Sequence, residues 1–334
     1  MPQKIIGQFL EPLWLGMRIY RGFMLNLLGG KVPFFCGHKL TYNCNLKCNM
    51  CPFWKRSAQD SSFEQEKAIL KQIYNSGACG VAFEGGEPLL RRDLIDILAF
   101  SRSLPLHTSL ITNGTLLESR IDQIAPFING VVYVSLDGLR KTHDSIRGVD
   151  GCFEKAVRGI DAAKEKVAVT INTTIMADNV DEVESLVGLS KELGVKISVA
   201  VAHDYCSTVA SSPDIDRIPK IANRLIEMKQ KGYPIVNSIE YFKVLTKEKK
   251  WRCKPWAMIN VDPNGKIVLP CYVHNDYDSS VSIIDRGISG AVSDFDWKKV
   301  ENCNKCNLHC YVEPSLVISR DIKAYMHWAF RVSI

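Results

Sequence analysis

Six short apolar segments, each followed by an amphipathic stretch, occupy residues 35–201 and constrain the fold of this chain more than any other feature. The segments have the length and composition of buried strands, and they lie at 35–40, 80–84, 108–112, 131–136, 168–175 and 196–201. Apolar residues at helical spacing predict helices at 63–74, 89–103, 117–124, 153–164 and 180–193. Alternating strands and helices form a parallel sheet, because each helix carries the chain back to begin the next strand. The pattern therefore predicts an α/β fold, a partial (β/α)6 barrel.

Polar and cysteine-rich motifs directly follow the first four predicted strands. Three cysteines follow the first strand, in the sequence LTYNCNLKCNMC, and the motifs EGGEP, TNG and SLDG follow the next three strands. In a parallel barrel, the loops after the carboxyl ends of the strands meet at one rim, where functional residues gather. We therefore expect these four motifs to meet in one site.

The periodic pattern ends after a further predicted helix at 219–231. The rest of the chain contains five of the twelve cysteines and the sequence WAMINVDPNGKIVLPC. Its Asn264-Gly265 pair favours the tight turn that joins two antiparallel strands. We therefore predict three parts, which are an amphipathic helical segment at 1–34, the barrel at 35–235 and a small cysteine-rich domain at 236–334.

The composition excludes several classes of protein. With 46% hydrophobic and 23% charged residues, the chain has the composition of a folded globular protein. Clustered cysteine spacings are typical of ligand sets rather than of extracellular disulfides, so we expect a reducing, cytoplasmic location. No uncharged apolar run reaches the roughly 18 to 20 residues that span a bilayer. The net charge of +6 does not by itself indicate a partner, and we do not expect the protein to bind nucleic acid.

The close spacing of Cys44, Cys48 and Cys51 indicates an iron–sulfur site. Three thiolates on one short loop can bind three irons of a [4Fe-4S] cube, and the fourth iron then stays open to a small molecule. Zinc is the alternative. A structural zinc site has four ligands, however, and no nearby histidine completes this set.

Together, the cysteine triad, the GGEP motif at 85–88 and the Ser-x-Asp motif at 135–137 resemble the radical S-adenosylmethionine (SAM) superfamily over residues 36 to about 205. The resemblance implies a TIM-like partial barrel and a [4Fe-4S] cluster whose open iron binds SAM. It also implies a reductant such as ferredoxin or flavodoxin, reductive cleavage of SAM to a 5′-deoxyadenosyl radical, and hydrogen abstraction from an unactivated carbon. An iron–sulfur electron-transfer protein is the non-enzyme alternative.

The resemblance also implies roles for particular residues. The cluster ligands are Cys44, Cys48 and Cys51. The implied SAM contacts are Gly85, Gly86, Glu87 and Pro88 near the amino group, Ser135 and Asp137 near the ribose, Met50 near the adenine, and Asn113 and Asn172 as further contacts. Met50 stands where the family usually has an aromatic residue. Arg147 is a candidate for the SAM carboxylate, and a structural ion-pair role for it and His143 is the alternative.

A second cysteine set resembles the auxiliary-cluster domains called SPASM and twitch, including the Gly265 turn. Its members are Cys253, Cys271, Cys303, Cys306 and Cys310. The full SPASM pattern has seven cysteines for two clusters, so this chain is expected to hold one auxiliary [4Fe-4S] cluster. Its ligands are expected to be the first three cysteines and either Cys306 or Cys310. With four thiolates it would serve electron transfer, with three it could bind substrate, and zinc is the alternative occupant.

The remaining candidates lie beside the sixth strand or in the core. His203, Asp204 and Tyr205 follow that strand, and we predict that they are catalytic residues on the substrate side of the site. Cys36, Cys79 and Cys152 have no ligand-like spacing, so core packing is expected for them.

Both ends of the chain mix aromatic, aliphatic and basic residues at helical spacing. Such helices either pack on the main domain or lie in a membrane interface. The second alternative predicts a peripheral protein at the inner face of the membrane, acting on a lipid or isoprenoid chain, and we rank this substrate class first. Peptide or protein modification and tetrapyrrole or other small-molecule modification are the alternatives. The segment before the first strand is expected to be too short for the leader-binding module of many peptide-modifying members.

Overall fold

The computed structural model describes residues 2–203, 216–275 and 281–319, together with residues 321, 323, 324 and 326. All six predicted strands are present, and their ends differ from the expected ones by one residue at most. They are β1 (Phe35–Thr41), β2 (Gly80–Gly85), β3 (His107–Thr112), β4 (Val131–Ser135), β5 (Ala168–Ile175) and β6 (Lys196–Val201). Three further strands follow, which are β7 (Met258–Val261), β8 (Lys266–Val268) and β9 (Val281–Ser282).

The strands form one sheet in the order β6-β5-β4-β3-β2-β1-β7-β8-β9. The six strands of the predicted barrel pair in parallel with their neighbours. β7 also runs parallel to β1, whereas β8 and β9 are antiparallel. In the described chain β6 and β9 lie at opposite edges of this sheet, so the barrel is partial, as predicted.

Helices cover the strands and connect them. They are α1 (Pro2–Leu27), α2 (Phe63–Asn75), α3 (Leu94–Ser103), α4 (Leu117–Ile124), α5 (Arg140–Arg147), α6 (Cys152–Ala163), α7 (Val183–Glu192), α8 (Arg217–Gln230), α9 (Ile239–Leu245), α10 (Tyr272–Asn275), α11 (Ile283–Asp294) and α12 (His309–Ile318). Helix α3 begins later than predicted, because Pro88–Leu90 forms a separate 3₁₀ turn. Helix α5 was not predicted, since its buried face is His143, Ile146 and Arg147 rather than an apolar stripe.

The predicted hairpin extends the main sheet. Asp262 N–H donates to the Lys266 carbonyl across the turn, and Gly265 has a φ of +70°, which favours glycine. Val261 and Ile267, one on each strand of the hairpin, belong to the same hydrophobic core as Leu40 of β1. The segment after residue 235 is therefore joined to the barrel by strand pairing, and this brings the second cysteine set beside the first.

One face of α1 packs on the barrel. The Trp14 ring stacks on Tyr74 with centroids 6.1 Å apart. Arg18 lies 4.3 Å from the Tyr74 centroid and donates from Nε to the Ala78 carbonyl at 2.8 Å. Near the end of the helix, Trp256 Nε1 donates to Asn26 Oδ1 at 2.9 Å. These contacts confirm the packing alternative for this face.

The opposite face of α1 is apolar and exposed. Met17, Tyr20 and Leu28 are 55%, 60% and 80% exposed, and Met24 lies between them on the same helical stripe. The described helices include none that is long and apolar enough to cross a membrane. The predicted C-terminal amphipathic helix falls mostly outside the described residues.

Candidate active site

The first cysteine set lies on a loop that folds tightly after β1. The Leu46 N–H lies 3.4 Å from the Cys44 sulfur, and both Cys51 N–H and Trp54 Nε1 donate to the Cys48 carbonyl. Cys48 is buried, while Cys44 and Cys51 are partly exposed. Burial raises the pKa of Cys44 to about 11. Cys44 and Cys51 pack against the buried Cys48, so the loop holds its three cysteines side by side, and their role as cluster ligands stays a prediction.

Gly85 and Gly86 lie against this cysteine loop. The Gly86 N–H donates to the Thr41 carbonyl at 2.7 Å, and a Cβ at Gly86 would stand 2.1 Å from the Asn43 oxygen. Gly85 has a φ of +137°, and its Cβ would stand 2.3 Å from the Thr41 oxygen. Glycine is needed here because two backbone segments approach each other. This is a different reason from the close approach to SAM that the sequence suggested.

Glu87 is fully buried behind the rim, next to the equally buried Pro88. Its carboxylate accepts hydrogen bonds from Leu89 N–H at 3.0 Å, Thr112 Oγ1 at 2.7 Å and Asn113 N–H at 2.8 Å. Burial raises the pKa of Glu87, and these donors oppose the rise. The expected direct contact of Glu87 with SAM is therefore not supported by its burial, and its geometry instead fixes the end of β3 to the end of β2.

Asn113 connects this buried carboxylate with the cysteine loop. Its backbone is held by Glu87, and its Nδ2 donates to Asn45 Oδ1 at 2.9 Å. The same Nδ2 lies 3.9 Å from the Cys44 sulfur. The sequence placed Asn113 near the cofactor, and the structure brings it beside a cysteine of the first set.

A buried ion pair joins the end of β4 to the cysteine loop. The Arg147 guanidinium pairs with the Asp137 carboxylate, which is 0% exposed, and also lies 3.7 Å from the Cys48 sulfur. The second Asp137 oxygen accepts from Thr174 N–H at 2.7 Å. Burial raises the pKa of Cys48, and the Arg147 charge opposes that rise. The structure thus favours the ion-pair alternative for Arg147, and burial does not support a ribose contact of Asp137.

His143 is part of the same buried network. Its Nδ1 accepts the Asp137 N–H at 3.0 Å, and burial lowers the pKa of His143 to about 3. The ring is therefore neutral at pH 7, and the partner of Arg147 is Asp137 rather than His143. Asn179 adds a bond from Nδ2 to the Asp137 carbonyl at 2.7 Å, a contact that the sequence did not indicate.

An apolar patch lies beside the first cysteine set. Met50 packs against Ile146, Met176 and Ala202, which come from α5 and from the residues that follow β5 and β6. Ser135 and Asn172 are partly buried and form a register pair between β4 and β5. The sequence predicted Met50, Ser135 and Asn172. It missed Met176 and Ala202, since an apolar residue after a strand carries no specific signal.

The second cysteine set is more deeply buried. Cys253, Cys271 and Cys306 are each at most 6% exposed and pack together with Leu308 and Tyr311, and the partly buried Cys303 and Cys310 pack against them. Cys253 N–H donates to the Cys303 carbonyl at 2.8 Å. His274 Nε2 lies 3.2 Å from the Cys303 sulfur, and the sequence did not single out this histidine. Among the described residues, His, Cys, Asp and Glu form no group of three arranged to hold a single metal ion.

Two aromatic rings connect the two cysteine loops. Phe53, two residues after Cys51, meets Tyr272, the residue after Cys271, edge to face with centroids 6.2 Å apart. Lys39 Nζ lies 4.4 Å from the Phe53 centroid and 4.7 Å from that of Tyr272, and it pairs with Glu84 at 2.5 Å. The sequence did not indicate this contact, because the two loops are brought together by the pairing of β7 with β1.

The predicted substrate-side residues lie at the limit of the described chain. His203 is partly buried just after β6, and Asp204 and Tyr205 lie outside the described residues. Their catalytic role stays a prediction. Core packing is confirmed for Cys36, Cys79 and Cys152, which are 0%, 0% and 1% exposed.

Comparison with known proteins identifies two segments of the chain. Residues 39–189 match the radical SAM superfamily, and residues 195–329 match a domain of unknown function, DUF3463. The Fe-coproporphyrin III synthase of Methanosarcina barkeri is 34% identical over 161 residues, which are 46% of this chain and 40% of that protein. The PqqA peptide cyclase of Rhizobium meliloti is 27% identical over 250 residues, which are 70% of this chain and 66% of that protein.

The fold is also similar to that of a solved structure, Streptococcus suis SuiB bound to S-adenosylmethionine. The TM-score is 0.68 at 18% identity, over 80% of this chain and 66% of that one. At this identity the likeness concerns the fold alone. The chain spans less than half the length of the first curated relatives that it matches, between 40% and 48%.

Proposed function

We propose that this protein, whose residues 39–189 match the radical SAM superfamily, is an enzyme that cleaves SAM reductively and abstracts hydrogen from an unactivated C–H bond of its substrate. Its cofactors are SAM and a [4Fe-4S] cluster. The observation that carries the proposal is the loop of Cys44, Cys48 and Cys51, which presents three thiols together at the rim of a parallel sheet.

The donor set suits the cluster. Thiolates are the ligands that iron–sulfur clusters require, and three of them leave one iron open to SAM. When bound, the cluster supplies the electron that breaks a C–S bond of SAM to give the 5′-deoxyadenosyl radical. Arg147 holds a positive charge 3.7 Å from the Cys48 sulfur and so stabilises the thiolate form that binds iron.

The other rim residues orient the cofactor. The apolar patch around Met50 excludes water on one side of the cysteine loop. The polar pair of Ser135 and Asn172 offers hydrogen bonds on the strand ends nearby. Glu87 and Asp137 lie buried behind this surface. The Glu87 carboxylate accepts backbone hydrogen bonds, and the Asp137 carboxylate accepts one from Thr174 N–H and pairs with Arg147.

For the second set, the proposal is one auxiliary [4Fe-4S] cluster on Cys253, Cys271, Cys303 and Cys306. Cys253, Cys271 and Cys306 are buried together, and the Cys303 backbone is bonded to Cys253. Cys310 lies on α12, four residues after Cys306, and packs against this buried group. These contacts favour Cys306 over Cys310 as the fourth ligand. A zinc ion is the alternative occupant of the site.

The substrate class that we favour is a tetrapyrrole or a peptide. Curated relatives are an Fe-coproporphyrin III synthase, AdoMet-dependent heme synthases and PqqA peptide cyclases. These names support the alternatives to the lipid substrate ranked first from the sequence, and none of the three refers to a lipid.

A lipid substrate is a second candidate, because Met17, Tyr20 and Met24 of α1 and Leu28, which follows its end, form an exposed stripe. Arg21 lies on the same face of this helix, and Lys31 follows its end. An exposed apolar stripe with basic neighbours suits the surface of an anionic bilayer, which would make the protein peripheral to the membrane.

The test is production of 5′-deoxyadenosine by reconstituted protein with SAM and dithionite. Porphyrin precursors, a peptide fraction and a membrane-lipid extract are added in separate reactions. Stimulation by porphyrins or peptides supports the first proposal, and stimulation by lipid alone supports the second. Absence of SAM cleavage in every reaction, with the cluster loaded, would refute the activity itself.

A further inference from the structure

A large open groove lies on the protein surface next to the second cysteine set. Its volume is about 1020 Å³, and one wall is the segment 247–254, KEKKWRCK. Lys247, Lys250, Arg252 and Lys254 of this segment line it, and we call it the basic groove. None of these four residues takes part in the proposed SAM site.

The segment 247–254 carries five cations and one carboxylate, Glu248, so most of its positive charge is not balanced within the segment. Lys249, on the same segment, is neutralised by Glu240 at 2.5 Å and by Asp321. Within the described part of the chain, the four cations that define the groove form no ion pair with a carboxylate, and three of them are exposed. Uncompensated cations around a concave surface attract acidic partners and speed their association.

The groove is lined by the chain neighbours of two cysteines of the second set. Arg252 and Lys254 flank Cys253 in the chain, and Asn302 and Asn304, which also line the groove, flank Cys303. Trp251 lines the groove and packs against the buried cysteine group. A partner seated in the groove would therefore contact the chain neighbours of Cys253 and Cys303, and Trp251, which packs on the cysteine group.

The second set is also in contact with the first. Tyr272 follows Cys271 and meets Phe53 of the first cysteine loop, and Lys39 bridges both rings to Glu84 beside Gly85. The contact of Phe53 with Tyr272 thus joins the loop of the second set directly to the loop of the first.

We propose that the basic groove is the docking site of an acidic electron-carrier protein, a small flavin or iron–sulfur protein that supplies the electron for SAM cleavage. The inference rests on the proposed function, which consumes one electron for each SAM cleaved. In this step the carrier's reduced centre loses one electron, and the sulfonium of SAM gains it as the C–S bond breaks. Basic residues spread along a groove suit an acidic protein surface, whereas a single small anion needs only one or two of them.

The test uses reduced flavodoxin as the probe and a triple variant, Lys247→Glu, Lys250→Glu and Arg252→Glu. The matched control reverses three exposed lysines elsewhere on the barrel, Lys71→Glu, Lys196→Glu and Lys231→Glu. Flavodoxin affinity is measured at low and high salt, and 5′-deoxyadenosine production is measured with flavodoxin or with dithionite as the reductant. Iron content shows whether each variant still loads its clusters.

We expect the groove variant to bind flavodoxin at least about tenfold more weakly at low salt, because charge complementarity at a docking surface is reversed. Its flavodoxin-driven rate should fall while its dithionite-driven rate and iron content match those of the control. Equal affinities in the groove variant and the control would overturn the proposal. So would unchanged flavodoxin binding together with lost binding to phosphatidylglycerol vesicles, which would assign the groove to a lipid. Failure of the dithionite reaction in the parent protein would instead refute the proposed function, and the affinities would still test the docking site.

Discussion

Cys44, Cys48 and Cys51 lie on one loop directly after β1, whereas the second cysteine set is assembled from the loop before β7, the end of the β7–β8 hairpin, the loop before α12 and α12 itself. The first set is partly exposed at the rim, and the second packs around buried thiols. A short loop needs only its two neighbouring strands to form. A set drawn from four segments needs the whole C-terminal part of the chain to fold first.

The difference in exposure has a chemical consequence. Two of the three thiols of the first set reach the rim, so a small molecule can approach a metal centre bound there. Burial raises the pKa of thiols in both sets, Cys44 and Cys48 in the first and Cys253, Cys271 and Cys306 in the second, so in each set ionisation is coupled to the binding of a cationic centre. We infer that the first set is built to bind a ligand and the second to hold a closed centre for electron transfer.

The largest expected effect is a loss of SAM cleavage when a cysteine of the first set is replaced, compared with the replacement of a buried cysteine outside both sets. Cys48→Ala should reduce dithionite-driven 5′-deoxyadenosine production to the level without protein, because the cluster loses a ligand next to Arg147. Cys152→Ser is the control, since this thiol is buried beside the same loop and donates to Asp144 at 3.1 Å. Substantial activity in Cys48→Ala would refute the ligand assignment.

A change in the second set should have a smaller and different effect. Cys253→Ala should lower the iron content of the reconstituted protein by about half, because one of two four-iron clusters is lost. Dithionite-driven SAM cleavage should persist, while cleavage driven by flavodoxin should be lost. Iron analysis and the two assays on one preparation check this. A full iron content would show that Cys253 is not a ligand. Loss of the dithionite reaction would show that the second set, like the first, is needed for SAM cleavage itself.

The buried pair beneath the first set should control stability. Arg147→Met leaves the Asp137 carboxylate buried without its cation, and we expect it to lower the free energy of unfolding by about 3 to 5 kcal/mol. The double variant Asp137→Asn with Arg147→Met should recover part of this loss, because the unpaired charge is gone. Denaturant unfolding of the cluster-free protein measures both. Equal stabilities of the single variant and the parent protein would show that the pair does not form.

The smallest expected effect distinguishes two cysteines of the second set. Cys310→Ala should keep its full iron content, whereas Cys306→Ala should lose about half of it, because only Cys306 is proposed as a ligand. The reverse result would assign the fourth ligand to Cys310 on α12.

The same contrast explains what the sequence could predict. The six strands depend on patterns within a few residues of each other, and they were predicted to within one residue at each end. The contacts of Gly86, Glu87 and Asp137 with the Asn43 carbonyl, the Thr112 hydroxyl and Arg147 could not be predicted, because these partners lie on other loops. The sequence shows which residues lie near each other in the chain. Tertiary contacts decide which of their polar atoms remain free to bind a ligand.

The contact between the two cysteine loops could not be predicted either, because it also depends on residues that are distant in the chain. It needs the parallel pairing of β7 with β1, and these strands are separated in the chain by the whole barrel. The hairpin itself was predicted from Asn264 and Gly265, but its place in the sheet was not. The contact of Phe53 with Tyr272 follows only from that placement.

Electron paramagnetic resonance of the reduced protein, recorded with and without SAM, tests the difference between the two sets most directly. The Cys253→Ala variant isolates the first cluster, and the Cys48→Ala variant isolates the second. We predict that SAM changes the signal of the first cluster and leaves that of the second unchanged, since only the first is proposed to have an open iron. A first cluster that does not respond to SAM, or a second cluster that does, would contradict the account.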